Sequence, residues 1–424
     1  VSRVEGATRA AVAAVWRIES ARLIAALSRR LGDLGAAEDL AQEALVAALE
    51  RWPVDGIPDK PGAWLMATAR NRGLDQLRRR RMQARKHEAL AADAGATPAP
   101  WPDLDAALDT PVADDLLRLV FVACHPVLSP EARTALTLRL LGGLTTAEIA
   151  RAFVAPEATI AQRIVRAKRT LAEARVPFEV PAAADLPARL GAVLQVVYLI
   201  FNEGYAATSG DDWMRPALCE EALRLGRILA GLMPDAAEVH GLLALMELHQ
   251  SRSRARVGPN GEAVLLADQD RGRWDRVLLH RGLAGLARAE SLARPLGPYT
   301  LQAAISACHA RARTAEATDW PRIVALYDAL VALTGSPVVE LNRAVAVSRA
   351  FGAAEGLALV DDLMAAGVLE SYALLPAVRG DLLAALGRRE EARADFERAA
   401  ALTDNTRERA VMLRRAAEQA APPA

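Results

Sequence analysis

The sequence predicts an all-α protein, and three observations carry that expectation. Hydrophobic residues make up 52% of the 424 and aromatic residues only 4%, so the apolar set is dominated by Ala and Leu, both strong helix formers. Runs of β-branched residues bounded by turn signals are nearly absent. Apolar residues instead recur at helical spacing in segment after segment, with Gly, Pro, Asp and Asn between the segments. A chain of this length carries two or three domains.

Charge divides the chain. Residues 1–86 hold 16 Lys/Arg and 10 Asp/Glu, whereas residues 87–113 hold five acids and no Lys or Arg. Residues 114–175 hold nine bases and six acids, and the remainder 27 bases and 31 acids. Two basic modules are thus joined by an acidic strip and followed by an acidic bulk, and basic modules are what a polyanion requires. The expected divisions are a helical module at 1–86, a linker at 87–113, a second helical module at 114–175 and a long helical region at 188–418. The linker is marked by AADAGATPAPWPDLDAALDTPVA at 91–113, and the join to the last region by VPFEVPAAADLP at 176–187.

In the first module, AAEDLAQEALVAALERW (Ala36 to Trp52) places Leu40, Ala44, Leu45, Ala48 and Leu49 on a core-facing side. Asp39, Gln42 and Glu43 lie three and four apart and share the opposite face; alone, such a face is simply solvated. WLMATARNRGLDQLRRRRMQARK (Trp64 to Lys86) offers Leu65, Ala69, Leu74 and Leu77 as a buried stripe. Arg70, Asn71, Asp75, Arg78 and Arg79 then project from the exposed side. Arg78 to Arg81 are consecutive and repel one another unless a polyanion is near, and their guanidinium forks suit phosphates. Trp64 offers a stacking surface for an unpaired base, although a buried Trp and a merely soluble helix end remain open readings.

The pair AEDLAQEAL…W and WLMATARNRGLDQLRRRR resembles region 2 of sigma-70 family RNA polymerase sigma factors, in the extracytoplasmic-function (ECF) group. The resemblance implies that Asp39, Gln42 and Glu43 dock on the clamp helices of the polymerase's largest subunit. It further implies that Trp64, Arg70, Asn71, Asp75, Arg78 and Arg79 serve capture of the melted −10 element.

The second module carries helix-start signals. Ser129-Pro130-Glu131 has the form of an N-cap, a first-turn proline and a first-turn acid. Thr145 and Glu148 fit a capping box. A short helix, Thr146 to Phe153, a turn through Pro156 and a second helix from Glu157 have the layout of a helix-turn-helix. In EATIAQRIVRAKRTLAEA, Ile160, Ile164, Ala167 and Leu171 fall on the packing side. Thr159, Gln162, Arg163 and Arg166 fall on the side that enters a major groove, where arginine reads guanine and glutamine adenine. Lys168 and Arg169 sit further round, towards phosphates. This module resembles region 4 of ECF sigma factors, which reads the −35 element and, by the same resemblance, meets the flap region of the polymerase. The family's flexible link between regions 2 and 4 fits the acidic strip, as a plain spacer also does.

The stretch from Tyr372 to Leu402, with LLAALGRREEARADFERAAAL, has the small-residue pattern of a tetratricopeptide helix pair, in which Ala392, Phe396 and Ala399 line the second helix. An irregular helical bundle is the alternative for the whole region. FNEGY at 201–205, GPYTLQAAISACH at 297–309 and SPVVELNRAVAV at 336–347 resemble an ECF subgroup with a C-terminal helical-repeat domain. The expected role of this region is control of the sigma module, with a protein or peptide as its partner.

No catalytic, metal or cofactor signature is found: the histidines lack ligand spacing, and nucleophile-elbow and phosphate-loop motifs are absent. Cys124, Cys219 and Cys308 form no CxxC pair and fit a reducing compartment. No apolar run reaches the roughly 20 residues of a membrane span, so a cytoplasmic protein without a membrane partner is expected. The competing class is a helical-repeat scaffold tethered to DNA by its helix-turn-helix; the AEDLAQEAL helix, which a plain DNA-binding regulator does not need, separates the two.

Overall fold

The computed structural model describes residues 2–73, 112–153, 155–207, 214–258, 264–403 and 405–420. Among the described residues the regular structure is helical throughout and contains no β-strand. The chain divides into two compact units, Val1–Val196 and Val197–Ala424.

The first unit opens with α1 (Ser2–Leu31) and α2 (Leu34–Asp55), which pack on each other. Gly32, at φ 63°, ends α1, and the Asp33 carboxylate accepts the Ala36 N–H at 3.1 Å to start α2. The buried side of α2 is a seam of Ala37, Leu40, Ala41, Ala44, Ala47 and Ala48, closed by Trp52. This corrects one expectation. Leu45 is only half-buried, and Leu49 is 40% exposed. Alanines let two helix backbones approach closely, and the larger leucines are left on the flank of the seam. Residues 61–73 form α3, with Leu65 and Ala69 buried as expected; Leu74 and Leu77 lie outside the described residues.

The unit continues with α4 (Val112–Ala123), α5 (Pro130–Leu140), α6 (Thr146–Ala152) and α7 (Glu157–Glu173). Ser129 caps α5, its Oγ accepting the Ala132 N–H at 3.3 Å, and Pro130 stands in the first turn. Phe121, Leu136, Leu138, Leu140, Ile149 and Ile160 are fully buried. Cys124 is buried too, 3.3 Å from the Thr137 hydroxyl, and burial pushes its thiol up to about 11. Arg189, near the start of α8 (Leu186–Tyr205), donates to the Phe121 carbonyl at 2.8 Å.

The second unit is built on α9 (Pro216–Leu232), α10 (Ala237–Gln250), α11 (Arg276–Leu292), α12 (Pro298–Arg311), α13 (Trp320–Thr334), α14 (Pro337–Phe351), α15 (Ala353–Ala365), α16 (Leu374–Ala385), α17 (Arg389–Leu402) and α18 (Thr406–Ala420). From α12 onwards each helix packs on the next, the neighbour-to-neighbour order of a stacked array. One core spans α10 to α14 and a second α14 to α18. Two glycines are required by close approach. A Cβ on Gly204, in FNEGY, would lie 2.6 Å from the Cys219 amide nitrogen, and one on Gly380 would lie 2.9 Å from the Phe396 ring. Glu203, the acid of FNEGY, forms an ion pair with Arg215. Ala392, Phe396 and Ala399 line the buried side of α17, as the small-residue pattern predicts.

Candidate polymerase and nucleic-acid interface

The outer face of α2 carries the acidic strip. Asp39 is exposed, while Gln42 and Glu43 are half-buried; Glu43 approaches Arg72 of α3 at 3.7 Å. The same face continues through Val46 and Leu49, which are 49% and 40% exposed. These two were not expected there, since Leu49 reads as a core position. The available signal was their distance from Asp39, seven and ten residues on, which returns to one helical stripe. The strip is therefore mixed, acidic at its start and apolar further along.

On α3, Trp64 is half-buried and meets the buried Trp52 edge-on, with ring centroids 5.3 Å apart at 65°. Trp52 thus braces a ring that is still partly accessible. Arg70 is half-buried and Asn71 exposed. Asp75, Arg78 and Arg79 lie outside the described residues.

The helix-turn-helix is formed by α6 and α7. Thr145 closes a complete capping box: its Oγ1 accepts the Glu148 N–H at 3.1 Å, and Glu148 Oε2 accepts the Thr145 N–H at 2.8 Å. Ile160, Ile164, Ala167 and Leu171 are buried along one side of α7. Thr159, Gln162 and Arg166 stand exposed on the opposite side, and Arg163 is half-buried. Glu131 is held below the ordinary carboxylate range by its own backbone amide and the Ser129 hydroxyl, with a smaller contribution from Arg163. Arg169 is exposed and pairs with Glu173 at 2.9 Å. Lys168 is differently placed, since its Nζ donates to Glu38 Oε2 at 2.9 Å.

Glu38 is the centre of a seam between α1–α2 and α4–α7. It is 4% exposed, and its other oxygen accepts from Arg139 Nε at 2.7 Å. Arg139 also donates to the Leu144 carbonyl at 3.2 Å. At one edge Arg17 of α1 bonds Glu148 at 3.0 Å. Burial opposes the Glu148 charge, but the Thr145 amide and hydroxyl and the Arg17 guanidinium outweigh it and keep the carboxyl below its usual range. At another edge the buried Asp115 pairs with Arg29 at 2.9 Å and Arg118 at 2.7 Å. Gly143, at φ 65°, lies so close to α1 that a Cβ there would be 2.9 Å from the Ser20 hydroxyl. Each buried carboxylate of the seam therefore meets two cations, the condition under which buried charge is tolerated.

Among the described residues no group of three or more His, Cys, Asp or Glu is placed to hold a metal ion. Among them, too, no helix is long and apolar enough to cross a membrane.

Comparison with known proteins assigns the segments. Residues 17–82 match the Sigma-70 region 2 family, residues 118–171 the Sigma-70 region 4 family, and residues 189–290 a family of unknown function, DUF6596. An uncharacterized protein of Rhizobium meliloti (strain 1021), R00370, is 46% identical over 401 residues, covering 94% of this chain and 93% of its own. The ECF RNA polymerase sigma factor SigL of Mycobacterium tuberculosis is 34% identical over 178 residues, 40% of this chain and 94% of that protein. The probable ECF RNA polymerase sigma factor SigI of the same species is 31% identical over 178 residues, 41% of this chain and 58% of that protein. No solved structure matches significantly. With both sigma regions in order on one all-α chain, and SigL matched over nearly its whole length, the chain belongs to the extracytoplasmic-function group of sigma-70 RNA polymerase sigma factors.

Proposed function

We propose that this sigma factor uses three separate surfaces of its first unit and is controlled through its second. The mixed strip of Asp39, Gln42, Glu43, Val46 and Leu49 docks on the clamp helices of the polymerase's largest subunit. Trp64, Arg70 and Asn71, with Asp75, Arg78 and Arg79, capture the melted −10 element. Thr159, Gln162, Arg163 and Arg166 read the −35 element, and Arg169 meets phosphate. Lys168 reaches phosphate once it leaves Glu38. The factor performs no bond chemistry; it supplies binding energy for promoter recognition and strand separation.

The observation that carries this reading is the exposed Thr159, Gln162 and Arg166 row on α7, opposite the buried Ile160, Ile164, Ala167 and Leu171. The Glu38 seam supports a resting state in which the two DNA-binding modules are clasped and must part to reach two promoter elements. Control by the second unit, read as a tetratricopeptide-like array that takes a protein or peptide partner, is supported by the Rhizobium relative, which retains nearly the full length.

The test is run-off transcription with purified bacterial core polymerase, using the full chain and a chain ending at Val196. Promoter-dependent transcripts from either bear out the initiation role, and unequal yields bear out control by the second unit. Absence of both transcripts and core binding overturns the reading.

A further inference from the structure

The end of α10 gathers arginines, and among the described residues no acid forms an ion pair with the most buried of them. Arg252 is 8% exposed; among the described residues its Nε has no hydrogen-bond partner and no ion pair engages its guanidinium. It lies 6.0 Å from the centre of the Trp274 ring, and Arg271 lies 4.7 Å from the same ring. Arg256 stacks on Tyr205 at 3.6 Å, and Tyr205 stacks in turn on His249 at 5.1 Å. Two of these arginines have evident structural work at helix ends. Arg256 donates to the Tyr205 carbonyl at the end of α8, and Arg271 donates to the His309 and Ala312 carbonyls at the end of α12, the former at 2.6 Å. Among the described residues Arg252 donates to no such carbonyl.

The nearby acids do not neutralise it. Asp270 accepts the Gly272 N–H at 2.8 Å, Asp275 caps α11 through the Val277 and Leu278 N–H groups, and the exposed Glu316 faces Arg271. His249 and His309 contribute no negative charge; burial and the adjacent arginines hold both in the neutral form. An adjoining surface depression shares Trp274 and is lined further by Arg254, Arg273 and Arg276 against one acid, Asp275, so the approach carries a net positive charge. A buried guanidinium left unpaired is unfavourable unless something supplies the missing charge, and its planar fork fits an oxyanion in two-point contact.

The geometry points to an oxyanion-binding site in the second unit, with Arg252 as the primary ligand-binding residue, Arg256 and Arg271 flanking it, and Trp274 and Tyr205 as its walls. The ligand class is a small molecule bearing a phosphate or a carboxylate. The site stands independently of the transcriptional reading.

Thermal unfolding and calorimetric titration of the full chain test this, with inorganic phosphate, succinate and chloride supplied at matched ionic strength. Phosphate or succinate should raise the unfolding midpoint by several degrees above chloride, and whichever does so names the class. Arg252→Met should abolish that shift while its ligand-free midpoint stays equal to or above the unmodified chain's. Arg254→Met should keep the shift. If Arg252→Met fails to fold, Arg252→Lys, which keeps the charge and loses the fork, should weaken binding at least tenfold. A midpoint that no oxyanion raises above chloride, or a shift that survives loss of Arg252, overturns the site.

Discussion

Glu38 and Arg252 are both charged and both more than nine-tenths buried, and their surroundings are opposite. Glu38 sits between Arg139 and Lys168, with each of its oxygens engaged. Arg252 has an indole beside it and, among the described residues, no carboxylate paired with it. The first site is complete within the chain, so its charge serves to hold two modules of the same unit together. The second is incomplete, so its charge is set for something that arrives. The same physics of desolvation makes one a clasp and the other a receptor.

The sharpest way to break this contrast is to remove the two charges separately. Glu38→Ala strands two half-buried cations and should cost the first unit about 3 kcal/mol, read as a lowered denaturant midpoint. Arg252→Met should cost nothing in the absence of ligand. Equal losses would show that both charges are internal.

A second comparison sets Lys168 against Arg166, two residues apart on α7. Arg166→Ala should weaken promoter binding by about 1–3 kcal/mol if it reads a base, with stability unchanged, as measured by a DNA-binding titration. Lys168→Ala should instead lower the stability of the first unit. A smaller effect is expected at the capping box, where Thr145→Ala should cost about 1 kcal/mol, measured by chemical denaturation, and loosen the helix that supports α7.

Acid should separate the two units. His309 is lowered to about 4 and His249 is lowered as well, mainly by burial and then by neighbouring arginines. The unfolded chain therefore binds more protons than the folded one between about 6.5 and 4, and the second unit loses stability as pH falls through that window. Glu148 and Glu131 in the first unit are held below the usual carboxylate value. Their contribution is complete above about 4.5 and is lost only below it. Unfolding followed from pH 7 to pH 4 should show the second unit weakening first.

What the sequence revealed was local. The Ser129 and Thr145 caps, the Ile160–Leu171 stripe and the exposed row of Thr159, Gln162 and Arg166 on α7 follow from spacing within a few turns, and the structure has them where spacing puts them. The α2 seam was misread because leucines carry more apolar area than alanines, whereas helix proximity favours the smaller side chain. Leu49 therefore moved from the expected core to the exposed strip beside Val46. The pairing of Lys168 with Glu38 joins residues 130 positions apart, and no periodicity within α7 contains it. The Arg252 site was equally hidden, because Tyr205, Arg252, Trp274 and His309 come from four separated segments. Asp75, Arg78 and Arg79 were singled out by sequence and lie outside the described residues.

The three thiols bear on the kind of signal such a factor receives. Cys124 is raised to about 11 and Cys219 to about 12 by burial, and Cys308 is raised as well, by burial and by Asp319. Oxidation by peroxide and exchange with disulfides both proceed through the thiolate, a form these side chains scarcely populate at neutral pH. The chain is thus poorly equipped to register oxidants through its own sulfur. A redox stimulus would have to reach it secondhand, already converted into a change of partner or ligand.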